Sequence, residues 1–189
     1  MSETSYKAPR WAWWVATGFG SGYLRPAPGT WGSLAALLAW FLIMTISWTR
    51  PATDMGMSLH FFMLFLAPVL MTMLAVRAST LVVTENGEKD PSYIVADEWA
   101  GQWIALTPLL IDATIFHVPL AWQMPRLIAP FLLFRILDIW KPWPIFQLQG
   151  LRTGLGIVMD DVMAGIYAAI PTLFMDRSLL QWIYYHLRA

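Results

Sequence analysis

One uncharged stretch limits more than any other feature what this chain can fold into. Residues 31–48 carry no charged side chain over 18 positions, and a tryptophan stands at each end. A helix of that length just crosses the hydrocarbon of a bilayer, and tryptophan favours the two membrane interfaces. Only 13% of the 189 residues are charged and the mean hydropathy is +0.53, which indicates an integral membrane protein.

Shorter apolar runs follow along the rest of the chain, and we expect them to form helices. They are residues 59–76, with a kink at Pro68, then 91–107, 109–122, 127–140, 162–174 and 179–187. The run at 91–107 has Asp90 as its expected N-cap and Pro91 at its first helical position. Short apolar runs are as often buried bundle helices as membrane spans. The expected fold is therefore all-α, a multi-helix bundle embedded in the membrane, formed as a single domain over residues 1–189.

Net charge and cysteine usage exclude several functional classes. A formal net charge of zero gives no basis for a nucleic-acid partner, because phosphate backbones demand a basic surface. The absence of cysteine excludes disulfides, thiolate metal sites and cysteine nucleophiles. No cleavage pattern follows the first ten residues, so we expect the N-terminus to be retained. His60, His117 and His186 stand far apart, and we interpret them as core or interface residues.

Acidic residues form three tight groups, each beside an apolar run. The groups are Asp97 with Glu98, Asp138 between Arg135 and Lys141, and Asp160 with Asp161. An ionised side chain in such a place is costly unless it is paired, hydrated or bound to a cation. Oxygen ligands without histidine or cysteine suit a hard cation, so the groups predict a Mg²⁺ site rather than a Zn²⁺ site. Adjacent helical residues point about 100° apart, so we expect one carboxylate of each adjacent pair to bind the ion and its neighbour to support it.

Two segments are candidates for binding phosphate. The first precedes the uncharged stretch and contains the glycines of residues 18–22 together with Arg25, Gly29, Thr30 and Ser33. Free amides at a helix N-terminus attract anions, although turn glycines and an N-cap would explain this pattern equally well. The second places Arg135, Asp138 and Lys141 at three-residue steps on one helical face. A simple ladder of salt bridges is the alternative interpretation there.

The distribution of positive charge predicts an orientation in the membrane. If the N-terminal segment with Lys7 and Arg10 is cytoplasmic, residues 49–58 and 112–126 lie outside, whereas 77–98 and 135–161 lie inside. Most lysines and arginines then fall on the cytoplasmic side, in agreement with the positive-inside rule. All three acidic groups fall on that side as well, so we expect the acidic site at the cytoplasmic ends of the helices.

Five sequence blocks together resemble the phosphatidylglycerophosphatase A family. They are GFGSG at 18–22, PGTWGS at 28–33, IVADE at 94–98, FRILDIWKPWP at 134–144 and GLGIVMDD at 154–161, and they occur in order over most of residues 18–167. The resemblance implies a Mg²⁺-dependent phosphatase of the bacterial inner membrane that converts phosphatidylglycerophosphate to phosphatidylglycerol. It also implies an all-helical fold. Tyr93 and Trp99 are bulkier than expected beside the acidic pair, which bears on substrate fit and leaves the ionisable positions intact.

The resemblance assigns catalytic roles to Asp97, Glu98, Asp138, Lys141, Asp160 and Asp161. We expect one or two Mg²⁺ ions held by Asp97, Asp138, Asp160 and Asp161 in some combination. Glu98 is expected to support a ligand or to act as general base. Lys141 and Arg135, helped by Arg25 and the residues from Gly29 through Thr30 to Ser33, are expected to bind the phosphate. No Asp-x-Asp nucleophile motif is present, so direct attack by water is favoured over an aspartyl-phosphate.

Two alternatives come from other functional classes. A membrane phosphotransferase acting on nucleotide-activated lipids also uses clustered aspartates and Mg²⁺, but its long signature of widely spaced aspartates, glycine and arginine is absent. A non-catalytic cation-binding protein would place facing acidic residues in mid-span, whereas these lie at the ends of apolar runs. The expected partners are therefore a lipid substrate and the membrane, and the sequence sets no oligomeric state.

Overall fold

The computed structural model describes residues 6–48, 62–110, 124–151 and 153–187, and no β-strand occurs among them. Seven α-helices can be named in this part of the chain: α1 Arg10–Ala16, α2 Pro28–Trp48, α3 Ala67–Asn86, α4 Ala96–Ala105, α5 Ile128–Trp140, α6 Ile145–Leu148 and α7 Gly154–Leu187. Three segments are long and apolar enough to cross a bilayer, namely Pro28–Thr45, Ala67–Asn86 and Gly154–Phe174. The predicted all-α class and membrane character are confirmed.

The first two long helices differ from their predicted limits in ways that proline explains. Helix α2 starts at Pro28 rather than at residue 31, because proline fits the first helical turn, where its missing N–H is not needed. Pro68 likewise lies in the first turn of α3. A π-helical segment, Phe62–Leu66, runs directly into this turn, so the kink expected at Pro68 stays a prediction. Helix α3 then continues past the predicted end at residue 76 to Gly87, whose φ of 70° closes the helix.

The start of α4 was predicted wrongly. Asp90 and Pro91 do not begin a helix, because the N–H of Ile94 bonds to the carbonyl of Pro91 in a turn. The N–H of Val95 then bonds at 2.8 Å to the carbonyl of Ala16, at the end of α1. Helix α4 therefore begins only at Ala96, and this places the first acidic pair in its first turn.

The last two predicted runs, at 162–174 and 179–187, belong to one continuous helix. Helix α7 begins at Gly154 and passes through Pro171, so Asp160 and Asp161 lie inside it rather than ahead of it. The predicted outer loop at 49–58, most of the one at 112–126, and most of the run at 109–122 lie outside the described residues.

Helix α4 lies at the centre of the bundle, in contact with α2, α3, α5 and α7. Its core contacts involve Trp99 and Ala100, which pack with Val158 and Val162 of α7. The two helices touch most closely at a pair of glycines. A Cβ built on Gly165 would overlap the carbonyl oxygen of Gly101 and lie 3.0 Å from its Cα, so no larger side chain fits there without separating the helices.

Candidate active site

A pocket of about 670 Å³ lies where the first turns of α2, α4 and α7 meet the last turn of α5. It is also lined by the loop between α3 and α4 and by the loop that leads into α7. All five carboxylates singled out in the sequence line it: Asp97, Glu98, Asp138, Asp160 and Asp161. The three acidic groups, distant in sequence, therefore form one site.

Three of these carboxylates face one another. Asp97, Glu98 and Asp161, which we call the acidic trio, each offer one oxygen within 4.8 Å of the others. Asp97 Oδ1, Glu98 Oε2 and Asp161 Oδ2 are buried and have no hydrogen-bond partner among the described residues. Unpaired buried carboxylate oxygens are unfavourable on their own, so this arrangement suits a bound cation.

The close approach of α2 to the acidic trio requires a glycine. A Cβ built on Gly29 would overlap Glu98 Oε1 and lie 3.1 Å from Arg135 Nη2. Ser33, one turn later, donates its hydroxyl hydrogen to the carbonyl of Gly29 at 2.9 Å. The N-terminal turn of α2 thus forms a wall against Glu98 and Arg135.

Burial and crowding of negative charge shift the protonation of the first acidic pair. Burial raises the pKa of Asp97 well above its usual range, and the charge of Glu98 raises it further. Burial also raises the pKa of Glu98, to about 8. A positive charge among these oxygens would favour their ionised forms and reverse both shifts.

Two cations balance the remaining carboxylates. Arg135 Nη1 lies 2.7 Å from Asp138 Oδ2 and 3.8 Å from Glu98 Oε1. Lys141 Nζ bonds to Asp160 Oδ2 and lies 3.8 Å from Asp138 Oδ1. Burial alone would lower the pKa of Lys141, but the hydrogen bond to Asp160 and its charge outweigh that effect, so the pKa is raised. Lys141 is therefore charged, and ion pairs hold both cations in place inside the pocket.

Comparison with known proteins identifies the family. A sequence model described as phosphatidylglycerophosphatase A matches residues 14–176. The chain belongs to this family. A Haemophilus influenzae phosphatidylglycerophosphatase A is 36% identical over 167 residues, which cover 88% of this chain and 89% of the relative. The Escherichia coli protein of that name is 35% identical over 156 residues, covering 82% and 77%.

A third relative carries a different name. It is a Bacteroides thetaiotaomicron protein whose name describes it, provisionally, as a phosphatidylinositol-3-phosphatase. It is 34% identical over 175 residues, which cover 89% of this chain and 92% of the relative. No solved structure matches the chain. Membership of the phosphatidylglycerophosphatase A family confirms the expected enzyme class, a phosphoric monoester hydrolase, over a transferase or a non-catalytic protein.

The family's expected metal ligands fall into two sets in this structure. Asp97 and Asp161 belong to the acidic trio, whereas Asp138 and Asp160 lie in the same pocket and are ion-paired. Glu98, expected to support a ligand or act as base, lies in the trio beside Asp97. The geometry thus adds Glu98 to the candidate ligands, and the assignment of all five remains a prediction.

The expected phosphate-binding residues are also divided. Gly29, Arg135 and Lys141 line the pocket, and the hydroxyl of Ser33 accepts a hydrogen bond from Arg135 Nη1 at 3.4 Å. Arg25, which is exposed, and Thr30 are not among the residues that line the pocket. Their role in binding phosphate stays a prediction.

The glycine block at 18–22 serves packing in this structure. Gly18 has a φ of 54°, and a Cβ there would lie 2.5 Å from Trp99 Nε1. A Cβ on Gly22 would overlap the backbone of Tyr93. The block is therefore a tight turn that lets the end of α1 lie against the segment leading into α4, which agrees with the alternative interpretation of its glycines.

Sequence patterns gave no reason to single out the outer rim of the pocket. That rim is lined by Lys89, Asp90, Ser92, Gln149 and Thr153. The one feature of the sequence that could have indicated these residues is their position, in the two loops that lead to the acidic pairs of α4 and α7. Loops next to site residues tend to carry binding groups.

Proposed function

We propose that the chain is a Mg²⁺-dependent phosphatase that converts phosphatidylglycerophosphate to phosphatidylglycerol and inorganic phosphate. The observation that carries this proposal is the acidic trio, three carboxylates that each have one buried, unpaired oxygen, beside two cations in one pocket. A site for a divalent cation next to a site for an anion is the combination that phosphate-ester hydrolysis needs. Family membership supplies the substrate class.

The donors of the trio fit Mg²⁺. They are carboxylate oxygens only, and none of the described residues that line the pocket is a histidine. Asp97 and Asp161, with Glu98 alongside, would hold the ion, and Asp138 and Asp160 lie near enough to take part if their ion pairs rearrange. When bound, Mg²⁺ would act as a Lewis acid and neutralise charge on the phosphate oxygens.

The residues of the chain would carry out the other parts of the reaction. Arg135 and Lys141 would donate charge-assisted hydrogen bonds to the phosphate and stabilise its charge as the reaction proceeds. Asp138 and Asp160 hold these two cations in position. Water would attack phosphorus and give one proton to a carboxylate of the site while the bond to the glycerol oxygen breaks, and the same proton would then pass to that oxygen, so that it leaves as the alcohol. We assign Glu98 to accept the proton of the attacking water, because its Oε2 has no hydrogen-bond partner among the described residues, whereas Asp138 and Asp160 accept hydrogen bonds from Arg135 and Lys141.

We also propose that the pocket faces the cytoplasm of a bacterium, from the inner membrane. The basic residues Lys7, Arg10, Arg25 and Lys89 all lie in the segments at the pocket end of the long helices. Positive charge concentrates on the cytoplasmic side of membrane proteins. The named relatives of the chain are bacterial proteins.

Phosphate release by the purified protein tests the proposal. We expect release from phosphatidylglycerophosphate with Mg²⁺ and none in excess EDTA. Asp161→Asn removes one charge of the acidic trio at constant volume and should lower turnover by about 10²–10³-fold, the scale of losing one preorganised electrostatic group. Glu88→Gln, an equivalent change at an exposed residue outside the pocket, should have no effect.

Two results would overturn the proposal. Undiminished turnover in excess EDTA would show that the reaction does not need a metal. Phosphate release from phosphatidylinositol-3-phosphate but not from phosphatidylglycerophosphate would show that the proposed substrate is wrong and would point to the activity named for the Bacteroides relative.

A further inference from the structure

The most exposed large hydrophobic side chains of the described residues lie in and beside the turn that joins the end of α5 to α6, next to the pocket. In residues 139–146, which we call the aromatic turn, Ile139, Trp140, Trp143 and Phe146 are 73%, 73%, 76% and 68% exposed. Soluble surfaces rarely leave so much contiguous apolar area uncovered. We therefore expect the aromatic turn to lie in an apolar or amphipathic environment.

The exposed surface changes character in a regular order along this part of the chain. The outward side chains of α5 are aliphatic and about one turn apart: Ile128, Leu132 and Ile136. The large aromatic side chains of the turn come next, and exposed Gln147 and Gly150 follow. Aliphatic, aromatic and polar surface in that order matches the passage from hydrocarbon through the headgroup layer to water.

The exposed surface of helix α3 also changes from apolar to charged along its length, which marks the membrane boundary on this helix. Its exposed large side chains before residue 77 are all apolar, and Arg77 is itself exposed. The start of α7 packs here, since a Cβ on Gly154 would meet the carbonyl of Val76 and the amide of Thr80. Asp160 and Asp161 lie about 10 Å further along α7 at the usual rise per residue. The acidic group thus lies deeper in the bilayer than Arg77, by up to about 10 Å.

We propose that the aromatic turn inserts into the headgroup layer of the membrane beside the pocket, so that a lipid phosphate reaches the acidic group from within the bilayer. Lys141, in the middle of the turn, lines the pocket, as do Gln149 and Leu151 just after it. The inserted segment and one wall of the pocket are therefore continuous. Acyl chains stay in the hydrocarbon while the headgroup alone enters the pocket. Only the identity of that lipid rests on the proposed function.

A fluorescent label measures the insertion without any substrate. The chain contains no cysteine, so Trp143→Cys gives a single site for an environment-sensitive dye in vesicles of phosphatidylcholine and phosphatidylglycerol. We expect blue-shifted emission that is quenched by lipids with a spin label near the headgroup and is protected from iodide. The matched control is Glu88→Cys, at an exposed residue beyond the end of α3, and it should be quenched by iodide alone. Quenching at position 143 by iodide alone would overturn the proposal.

Two forms of the substrate measure the path of the lipid. In the double variant Trp140→Ala with Trp143→Ala, we expect KM for long-chain phosphatidylglycerophosphate in vesicles to rise about tenfold, because the interfacial anchor is lost. The kcat for that substrate, and both constants for a soluble short-chain analogue, should stay unchanged. Leu38→Ala, at an exposed residue in the middle of α2, controls for the loss of any lipid-facing side chain.

An equal loss on the long-chain and the short-chain substrate would overturn the path through the bilayer. If the unaltered protein hydrolyses neither, the proposed function is wrong instead. The label at position 143 would still decide whether the turn inserts, so the two failures are distinguishable.

Discussion

Gly165→Ala is expected to force apart the two helices that carry the acidic trio. A Cβ on Gly165 would lie 3.0 Å from both Cα and the carbonyl carbon of Gly101, and closer still to its oxygen. Carbon atoms pack at about 3.5–4.0 Å, so α4 and α7 must separate by about 0.5–1 Å to admit one methyl group. Both sides of the contact are backbone, and a change of side-chain rotamer cannot relieve the overlap.

The separation would act directly on the site. Asp97 and Glu98 lie on α4, whereas Asp161 lies on α7, and the oxygens of these three residues now fall within 4.8 Å. A misplacement of about 1 Å can cost about 100-fold in rate. Overpacking of this kind costs about 1–3 kcal/mol in the free energy of unfolding. We therefore expect a folded protein with a lower melting temperature, a turnover reduced by about two orders of magnitude and weaker Mg²⁺ binding.

Phosphate release, calorimetric Mg²⁺ titration and thermal unfolding in detergent test this expectation. The control is Gly150→Ala, the same chemical change in the exposed loop before α7. A Cβ on Gly150 meets only the carbonyl oxygen of Gln147, at 3.2 Å. If Gly165→Ala kept the turnover and the Mg²⁺ affinity of the unaltered protein, the glycine crossing would not set the geometry of the site and the reasoning would be refuted.

Three further outcomes are expected. Lys141→Met should lower kcat/KM by about 10²-fold but leave Mg²⁺ binding by the free enzyme intact, because an ammonium group cannot ligate a metal; a loss of Mg²⁺ binding instead would contradict this role. Glu85→Ala should lower the free energy of unfolding by about 1–3 kcal/mol. Its carboxylate accepts hydrogen bonds from the backbone amide of Ala8 at 3.0 Å and from the indole of Trp13 at 2.9 Å. An unchanged denaturant midpoint would show that this contact does not stabilise the fold. In intact cells an impermeant maleimide should label Ser58→Cys, which lies outside the described residues, and should not label Ser92→Cys or Thr153→Cys. Labelling of Ser92→Cys or Thr153→Cys would show that the proposed orientation is wrong.

The convergence of the acidic groups could be predicted from the sequence, because it depends on features that are local. Each group lies near one end of an apolar run, and successive helices alternate in direction across a membrane. Which carboxylates would face one another could not be predicted in this way. Periodicity gives the face of a helix on which a residue lies, but the crossing of α4 and α7 at Gly101 and Gly165 decides which oxygens meet. Glu98 was therefore expected beside the ligands, and the structure places one of its oxygens within 4.8 Å of those of Asp97 and Asp161.

The limits of α4 show why local signals failed where they did. Asp90 and Pro91 have the residue types of a helix start, and by local rules they should begin one. Instead the N–H of Val95 bonds to the carbonyl of Ala16, far away in the sequence, and this contact delays the helix to Ala96. The delay leaves the preceding loop free to line the pocket. Tertiary contact here overrides local preference at the place where the site is built.

The balance of charge in the pocket bears on how many ions the proposed enzyme uses. Six carboxylates line it, including Asp90, and three cations line it, namely Lys89, Arg135 and Lys141, so full ionisation leaves an excess of three negative charges. Burial of such an excess is unfavourable and raises the pKa values of Asp97 and Glu98, which favours their protonated forms when no cation is near. One Mg²⁺ replacing those protons would still leave a negative pocket, which repels a phosphate monoester. Two would make the pocket slightly positive and attract that substrate, so we propose that the working state holds two ions.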